Sequence, residues 1–249
     1  MNYSFNSSAI WEGVFLNYEE VKKKGTGFSG QTWKNRIIKH LVDLRKLSSK
    51  NEIVLPPRST DLSLLQSITA SKSIIDFGGS SGWNYEFLKH SSLNCNIQRY
   101  LIIEIEEIVE WMKSENLHND PVEFSTHLDK NQEFDILYSN SALQYVYNDN
   151  IFIRIIKSTS PSWILLEDFL GGHFDDFFSI QSFYEDKIPV KFRNINSFVK
   201  KISDIGYKLH FRKKYPNVIN GIQQDLPMES LPEDFRVKSG SNFLFKKND

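Results

Sequence analysis

The sequence predicts an α/β fold: a doubly wound, mostly parallel sheet with a C-terminal antiparallel hairpin, preceded by a helical extension. Three observations predict it. Short apolar runs alternate with segments of helical period from residue 73 to residue 205. A glycine turn, Gly78-Gly79-Ser80-Ser81-Gly82, follows the first run. Two late apolar runs, Tyr207–Lys213 and Asn242–Phe245, have no helix between them, which calls for an antiparallel hairpin at one sheet edge.

In chain order, residues 19–50 read as helical in two pieces, broken at Gly25-Thr-Gly27. Trp33, Ile37, Ile38, Leu41, Leu44 and Leu47 recur at three- and four-residue steps and form one apolar stripe. Pro56-Pro57 imposes an extended connection, and Ser59, Thr60 or Asp61 caps a short helix through Leu62, Leu65 and Ile68. Residues 1–70 are therefore read as an N-terminal helical extension or cap, and residues 71–249 as the sheet domain. Its strands are expected at Ser73–Phe77, Tyr100–Ile103, Val122–Phe124, Phe134–Tyr138 and Ser162–Leu166. Helices are expected at Trp83–Lys89, around Ile108–Met112, at Ile151–Lys157 and at Asn196–Ile205.

Composition narrows the function classes. The chain of 249 residues has a net charge of −1, so no global basic field favours a nucleic-acid partner. Its one cysteine, Cys95, excludes an intramolecular disulfide and a cysteine-rich zinc site. No apolar run approaches the ~18 residues of a membrane span, and Met1–Lys24 lacks a signal-peptide pattern, so a soluble cytoplasmic protein is expected. Glu167, Asp168, His173 and Asp175 are close in sequence but show no metal-ligand spacing, and no metal is expected.

The glycine turn carries the chemistry. In an open α/β sheet the ligand lies beyond the carboxyl ends of the strands. Gly78 and Gly79 allow a sharp turn and close backbone approach, and Gly82 lets the next helix sit tight on the sheet. The dinucleotide pattern G-x-G-x-x-G fails, because Ser80 and Trp83, or Ser81 and Asn84, stand where it needs glycine. The acid-x-G-x-G-x-G pattern fits at Asp76, Gly78 and Gly82, with Ser80 in the middle position. S-adenosylmethionine has no pyrophosphate and needs backbone access more than a phosphate nest. Glu104, at the end of the second strand, is placed to accept hydrogen bonds from both hydroxyls of a ribose, a role that NAD would also fill.

Trp11-Glu-Gly-Val-Phe15, Asp76-Phe-Gly-Gly, Ile102-Ile-Glu104 and Phe134-Asp-Ile-Leu-Tyr-Ser-Asn-Ser-Ala-Leu-Gln-Tyr145 resemble the class I S-adenosylmethionine-dependent methyltransferases, which have a Rossmann-like fold. More narrowly, they are similar to methyltransferases of bacterial surface-polysaccharide gene clusters. The resemblance implies S-adenosylmethionine as cofactor, Ser139 and Asn140 beside its methionine part, and Ser125 and Thr126 near its adenine, with Asp129 the nearest acid. It also implies O-methylation of a sugar or small glycan precursor.

On the acceptor side, Glu167-Asp168-Phe-Leu-Gly171-Gly172-His173 puts a glycine pair and a histidine beyond a central strand. His173 is expected to be the general base, preferred over Asp168 because imidazole titrates near neutrality. Trp11, Tyr145, Asp168 and Gln181 are expected to hold the acceptor, although Trp11 is equally suited to anchor the extension. Two competing readings remain open here: a nicotinamide-dependent sugar-modifying oxidoreductase or epimerase, and a non-catalytic binding relative.

Overall fold

The computed structural model describes residues 10–25, 28, 30–49, 60–91, 95–115, 121–128, 132–219 and 222–248. The expected break at Gly25-Thr-Gly27 falls partly outside them; Pro56-Pro57, Ser59, Asp129 and the side chain of Leu47 fall wholly outside.

The elements run β1 (Trp11–Phe15), α1 (Tyr18–Lys22), α2 (Gln31–Ser49), α3 (Thr60–Thr69), β2 (Ser73–Phe77), α4 (Trp83–Ser91), β3 (Arg99–Ile103), α5 (Glu106–Glu115), β4 (Val122–Ser125), β5 (Ile136–Asn140), α6 (Asp149–Thr159), β6 (Trp163–Phe169), β7 (Gly171–Gly172), β8 (Phe177–Phe183), β9 (Asp186–Asn194), α7 (Ile195–Ser203), β10 (Tyr207–Lys214), β11 (Val218–Ile219), β12 (Ile222–Gln223) and β13 (Ser241–Lys247). Seven strands form the main sheet in the order β10-β13-β6-β5-β2-β3-β4. β13 is antiparallel to both neighbours, while β6, β5, β2, β3 and β4 pair in parallel, so the expected sheet and its edge hairpin are present. The winding reverses between β2 and β5, which opens a crevice at their carboxyl ends.

Alternation sorts the sheet's side chains into two cores. Ile75, Leu101, Leu137, Leu166 and Phe243 pack under Phe152 and Ile156 of α6 and Phe198 and Ile202 of α7. Ile74, Tyr100, Ile136 and Tyr138 pack on the other face with Leu62 and Leu65 of α3 and Leu88 of α4. The stripe on α2 is buried at Leu41, against Ile108 and Met112 of α5.

The structure corrects the sequence reading in three places. The fourth strand begins at Ile136, not Phe134, and reaches Asn140. The N-terminal extension is not helical throughout, since β1 pairs antiparallel with β8. The stretch between β6 and α7, to which the sequence reading assigns no element, contains a long hairpin in which β8 and β9 pair through a two-residue turn at Tyr184-Glu185. β1, β8, β9 and the short β7 make a second, four-stranded sheet. Its inner face, with Trp11, Phe177, Val190 and Phe192, packs on Leu170, Met228 and Leu231, and the Ser230 hydroxyl donates to the Trp11 carbonyl at 2.6 Å.

An ionic hub ties this second sheet to the first. Asp149 Oδ1, at the start of α6, accepts from Lys191 Nζ at 3.0 Å and from Arg193 Nε at 3.0 Å, both on β9. Asp149 Oδ2 accepts from Lys201 Nζ of α7 at 2.7 Å. Arg193 is 1% exposed and donates Nη2 to the Val146 carbonyl and Nη1 to the Lys191 carbonyl. Burial opposes ionisation of Asp149, but these cations outweigh it and hold the carboxyl far below its ordinary range. A depressed folded-state value means stability that is present above about pH 4 and lost as the pH falls further. Asp149→Ala, which strands the buried Arg193 while Lys191 keeps Asp176 at 3.0 Å, is expected to cost roughly 3–5 kcal/mol, read as a lowered urea midpoint at pH 7, with the difference shrinking in acid.

Candidate active site

One cleft of about 1110 Å³ lies at the carboxyl ends of β2, β3, β5 and β6 and is covered by β1 and β8. Backbone strain gathers on its rim. Ser80 after β2, Ser141 after β5 and Asp168 in β6 all have left-handed φ values, 53°, 54° and 53°, which cost of order 1–3 kcal/mol in a non-glycine residue unless the surroundings enforce them.

The glycine turn forms one end. Gly78 (φ +72°) and Gly82 (φ +77°) use a conformation that glycine adopts without penalty. A Cβ on Gly78 would also stand 2.2 Å from the Ala142 Cβ. The turn is held from below by Asp76, whose Oδ2 accepts from Asn84 Nδ2 at 3.0 Å and Tyr100 Oη at 2.7 Å. Asp76 is fully buried, which pushes its carboxyl up to about 6. It supports the turn and does not line the cleft, and neither do Gly79 and Gly82.

Glu104 does line it, beside Gly78 and Ser80. Its Oε1 accepts from the Ser80 backbone N–H at 3.0 Å and its Oε2 from the Ile105 N–H at 3.0 Å. Burial raises the carboxyl above its ordinary range, and these two N–H groups oppose that. A carboxylate has about four lone-pair sites, so one on each oxygen remains for a ligand. Thr126 follows β4 on the same side, its hydroxyl 3.1 Å from His127 Nδ1.

Two expected cofactor residues have other tasks. Ser139 is buried and donates its hydroxyl to the Phe77 carbonyl at 3.0 Å, tying β5 to β2; its place in the pleat turns it away from the cleft. Asn140 lines the cleft, but its Nδ2 is directed at Tyr138 Oη, 3.0 Å, and Glu167 Oε2, 2.9 Å.

Trp11, Tyr145, Asp168 and Gln181 come together at the other end. Tyr145 Oη donates to Gln181 Oε1 at 3.0 Å, linking the segment after β5 to β8. Trp11 packs edge-on against Phe192 at 5.2 Å, so it both anchors β1 and walls the cleft. Asp168 Oδ2 accepts from the Ser141 hydroxyl at 2.5 Å.

His173 is not among them. The pairing of Gly171-Gly172 with Arg193-Asn194 carries the chain away from the cleft, and His173 is exposed in a separate recess. It has no position from which to act as a base in the cleft. Phe28, Trp33 and Trp83 do line the cleft, although Trp33 reads in the sequence as part of a core stripe.

No family model matches the chain, and no curated protein does. Solved structures share the fold. A candidate S-adenosylmethionine-dependent methyltransferase from Listeria monocytogenes aligns over 84% of this chain and 98% of its own, with 13% identity and a TM-score of 0.50. A chain in the complex of the Haloferax volcanii Trm112 methyltransferase activator with a candidate methyltransferase aligns over 86% and 98%, with 12% identity and a TM-score of 0.54. The 1,6-didemethyltoxoflavin N1-methyltransferase of Burkholderia thailandensis, solved with S-adenosylhomocysteine, aligns over 90% and 93%, with 10% identity and a TM-score of 0.52. The main sheet thus has the Rossmann-like architecture of class I methyltransferases.

Glu167, buried beneath Asn140, makes the site sensitive to pH. Burial pushes its carboxyl up to about 8, opposed by the hydrogen bond from Tyr138. A raised folded-state value means stability that is full below the unfolded value of about 4.3 and lost as the pH climbs through the folded one. The urea midpoint should therefore fall between pH 5 and pH 8, and Glu167→Gln should flatten most of that fall.

Proposed function

We propose that this chain is an S-adenosylmethionine-dependent methyltransferase. The observation that carries the reading is Glu104, which lines the cleft beside the glycine turn, is braced by two backbone N–H groups and keeps a free lone-pair site on each oxygen. Two cis hydroxyls of a ribose fit that pattern, with Gly78 giving close backbone approach and Thr126 and Leu128 beside the base. The glycine turn lacks the G-x-G-x-x-G spacing of a pyrophosphate-binding loop, with Ser80 and Trp83 in place of its second and third glycines, which favours this cofactor over a nicotinamide dinucleotide. When bound, the cofactor supplies an electrophilic methyl group on a sulfonium.

The acceptor end supports a small polar substrate bearing a hydroxyl. Trp11 gives a flat apolar wall and Gln181, fixed by Tyr145, keeps its amide N–H groups for a ligand. A sugar or glycan precursor has the matching chemistry, and the narrower likeness of the Trp11–Phe15 and Asp76–Gly79 motifs points the same way. Asp168 takes the role first assigned to His173. It is the carboxylate at the acceptor end of the cleft, held by the Ser141 hydroxyl, and it orients the acceptor and receives its proton as the oxygen is methylated.

Calorimetry separates the cofactor classes: S-adenosylhomocysteine is expected to bind and NADH is not, and the reverse result removes the methyltransferase reading. Glu104→Ala should weaken S-adenosylhomocysteine binding by about 1.5–3 kcal/mol, the scale of hydrogen bonds to a charged group. Asp168→Asn keeps the shape and tolerates the left-handed backbone. It should lower turnover roughly 10²–10⁴-fold with little change in S-adenosylhomocysteine affinity, in a methyl-transfer screen against sugar nucleotides and oligosaccharides.

A further inference from the structure

A second recess, of about 620 Å³, lies on the far side of the segment that leaves β6. Asp168 and Leu170 face the first cleft, whereas Gly171, Gly172 and His173 line this one. Across from them stand Arg212, Lys213 and Lys214 at the end of the edge strand β10, with Arg236 and Lys238 from the long connection before β13. All five cationic side chains are exposed, and Asp234 is the one carboxylate in the lining.

In a chain of net charge −1 this clustering is out of proportion. Internal partners neutralise only one of the five. Lys213 pairs with Asp61 at 2.6 Å. Arg236 is spent on the Leu231 and Glu229 carbonyls, and Arg212 donates to the Ser241 hydroxyl; neither contact offsets a positive charge. Among the described residues, no carboxylate lies within ion-pair distance of Arg212, Lys214, Arg236 or Lys238. Like charges crowded at one place repel, and the arrangement is relieved by a bound anion.

We propose that this recess binds a phosphoryl or pyrophosphoryl group on a small molecule, at a site distinct from the methyl-transfer cleft. With Lys213 paired to Asp61, four cations against one carboxylate still suit an anion carrying more than one charge, and guanidinium and ammonium groups together match phosphate oxygens. The cations surround a concavity and do not form the extended stripe that tracks a nucleic-acid backbone. His173 adds a ring N–H at the rim, which gives this histidine a task that its distance from the cleft denies it in catalysis.

The test uses the full chain and inorganic pyrophosphate, titrated by calorimetry at low and moderate salt without S-adenosylhomocysteine, so its outcome is independent of the methyltransferase reading. Lys214 and Lys238 are the side chains to change, because neither holds the fold together. The double variant Lys214→Glu/Lys238→Glu should keep the wild-type circular dichroism and melting profile and bind pyrophosphate roughly tenfold or more weakly, with a shallower salt dependence. Absence of pyrophosphate binding by the wild type at low salt overturns the proposal, as does equal binding by the variant. Tighter binding of a single-stranded RNA oligonucleotide, weakened by the same changes, overturns it in favour of a nucleic-acid surface.

Discussion

The turn after β2 governs the site. It must leave the strand, pass through three left-handed residues, Gly78, Ser80 and Gly82, and deliver α4 onto the sheet. Two carboxylates enforce that path. Asp76 holds it from below through Asn84, which lies on α4, and through Tyr100 on β3; Glu104 grips the Ser80 N–H from the neighbouring strand end. Because β2 and β3 pair in register, Phe77 opposite Ile103, the turn and Glu104 meet as soon as both strands stop. The cleft beneath is a consequence of that meeting and of the reversal between β2 and β5.

The second sheet converts an open crevice into a covered one. Its attachment is electrostatic as well as apolar, since Asp149 draws β9, α6 and α7 to one point inside the protein. Desolvating such a hub is costly, and it stabilises only because every charge finds an opposite one with good geometry. The Tyr145–Gln181 hydrogen bond repeats the link at the cleft itself. One wall of the cleft therefore comes from the parallel sheet and carries the glycine turn and Glu104. The other comes from β1 and β8 and carries Trp11 and Gln181.

The main sheet was legible because each strand is a short apolar run closed by a turn signal, and β2 coincides with Ser73–Phe77. Glu104 was legible for the same reason, standing where the apolar run ends. The β8–β9 hairpin was hidden by its turn, where Tyr184 adopts φ +56° with none of the Asn-Gly or Asp-Gly chemistry that marks such turns. Its second strand also carries Lys191 and Arg193, charged residues that are buried by pairing with Asp149. Without that hairpin, Gln181 could be placed only by its position beyond β6, and the Gly171-Gly172-His173 stretch read as lying at the strand's end beside the site instead of as a strand pairing that leads away from it. Ser139 and Asn140 read alike in the sequence, but adjacent residues on a strand face opposite ways, and Ser139 is bonded to Phe77 while Asn140 lines the cleft.

A crystal structure of the chain grown with S-adenosylhomocysteine tests the central claim most directly. The ribose hydroxyls should each lie within hydrogen-bond distance of one Glu104 oxygen, with the Glu104–Ser80 contact kept and the sulfur directed toward the end of the cleft that holds Asp168 and Tyr145. A nucleoside bound elsewhere, or in this cleft with its ribose away from Glu104, would contradict the account.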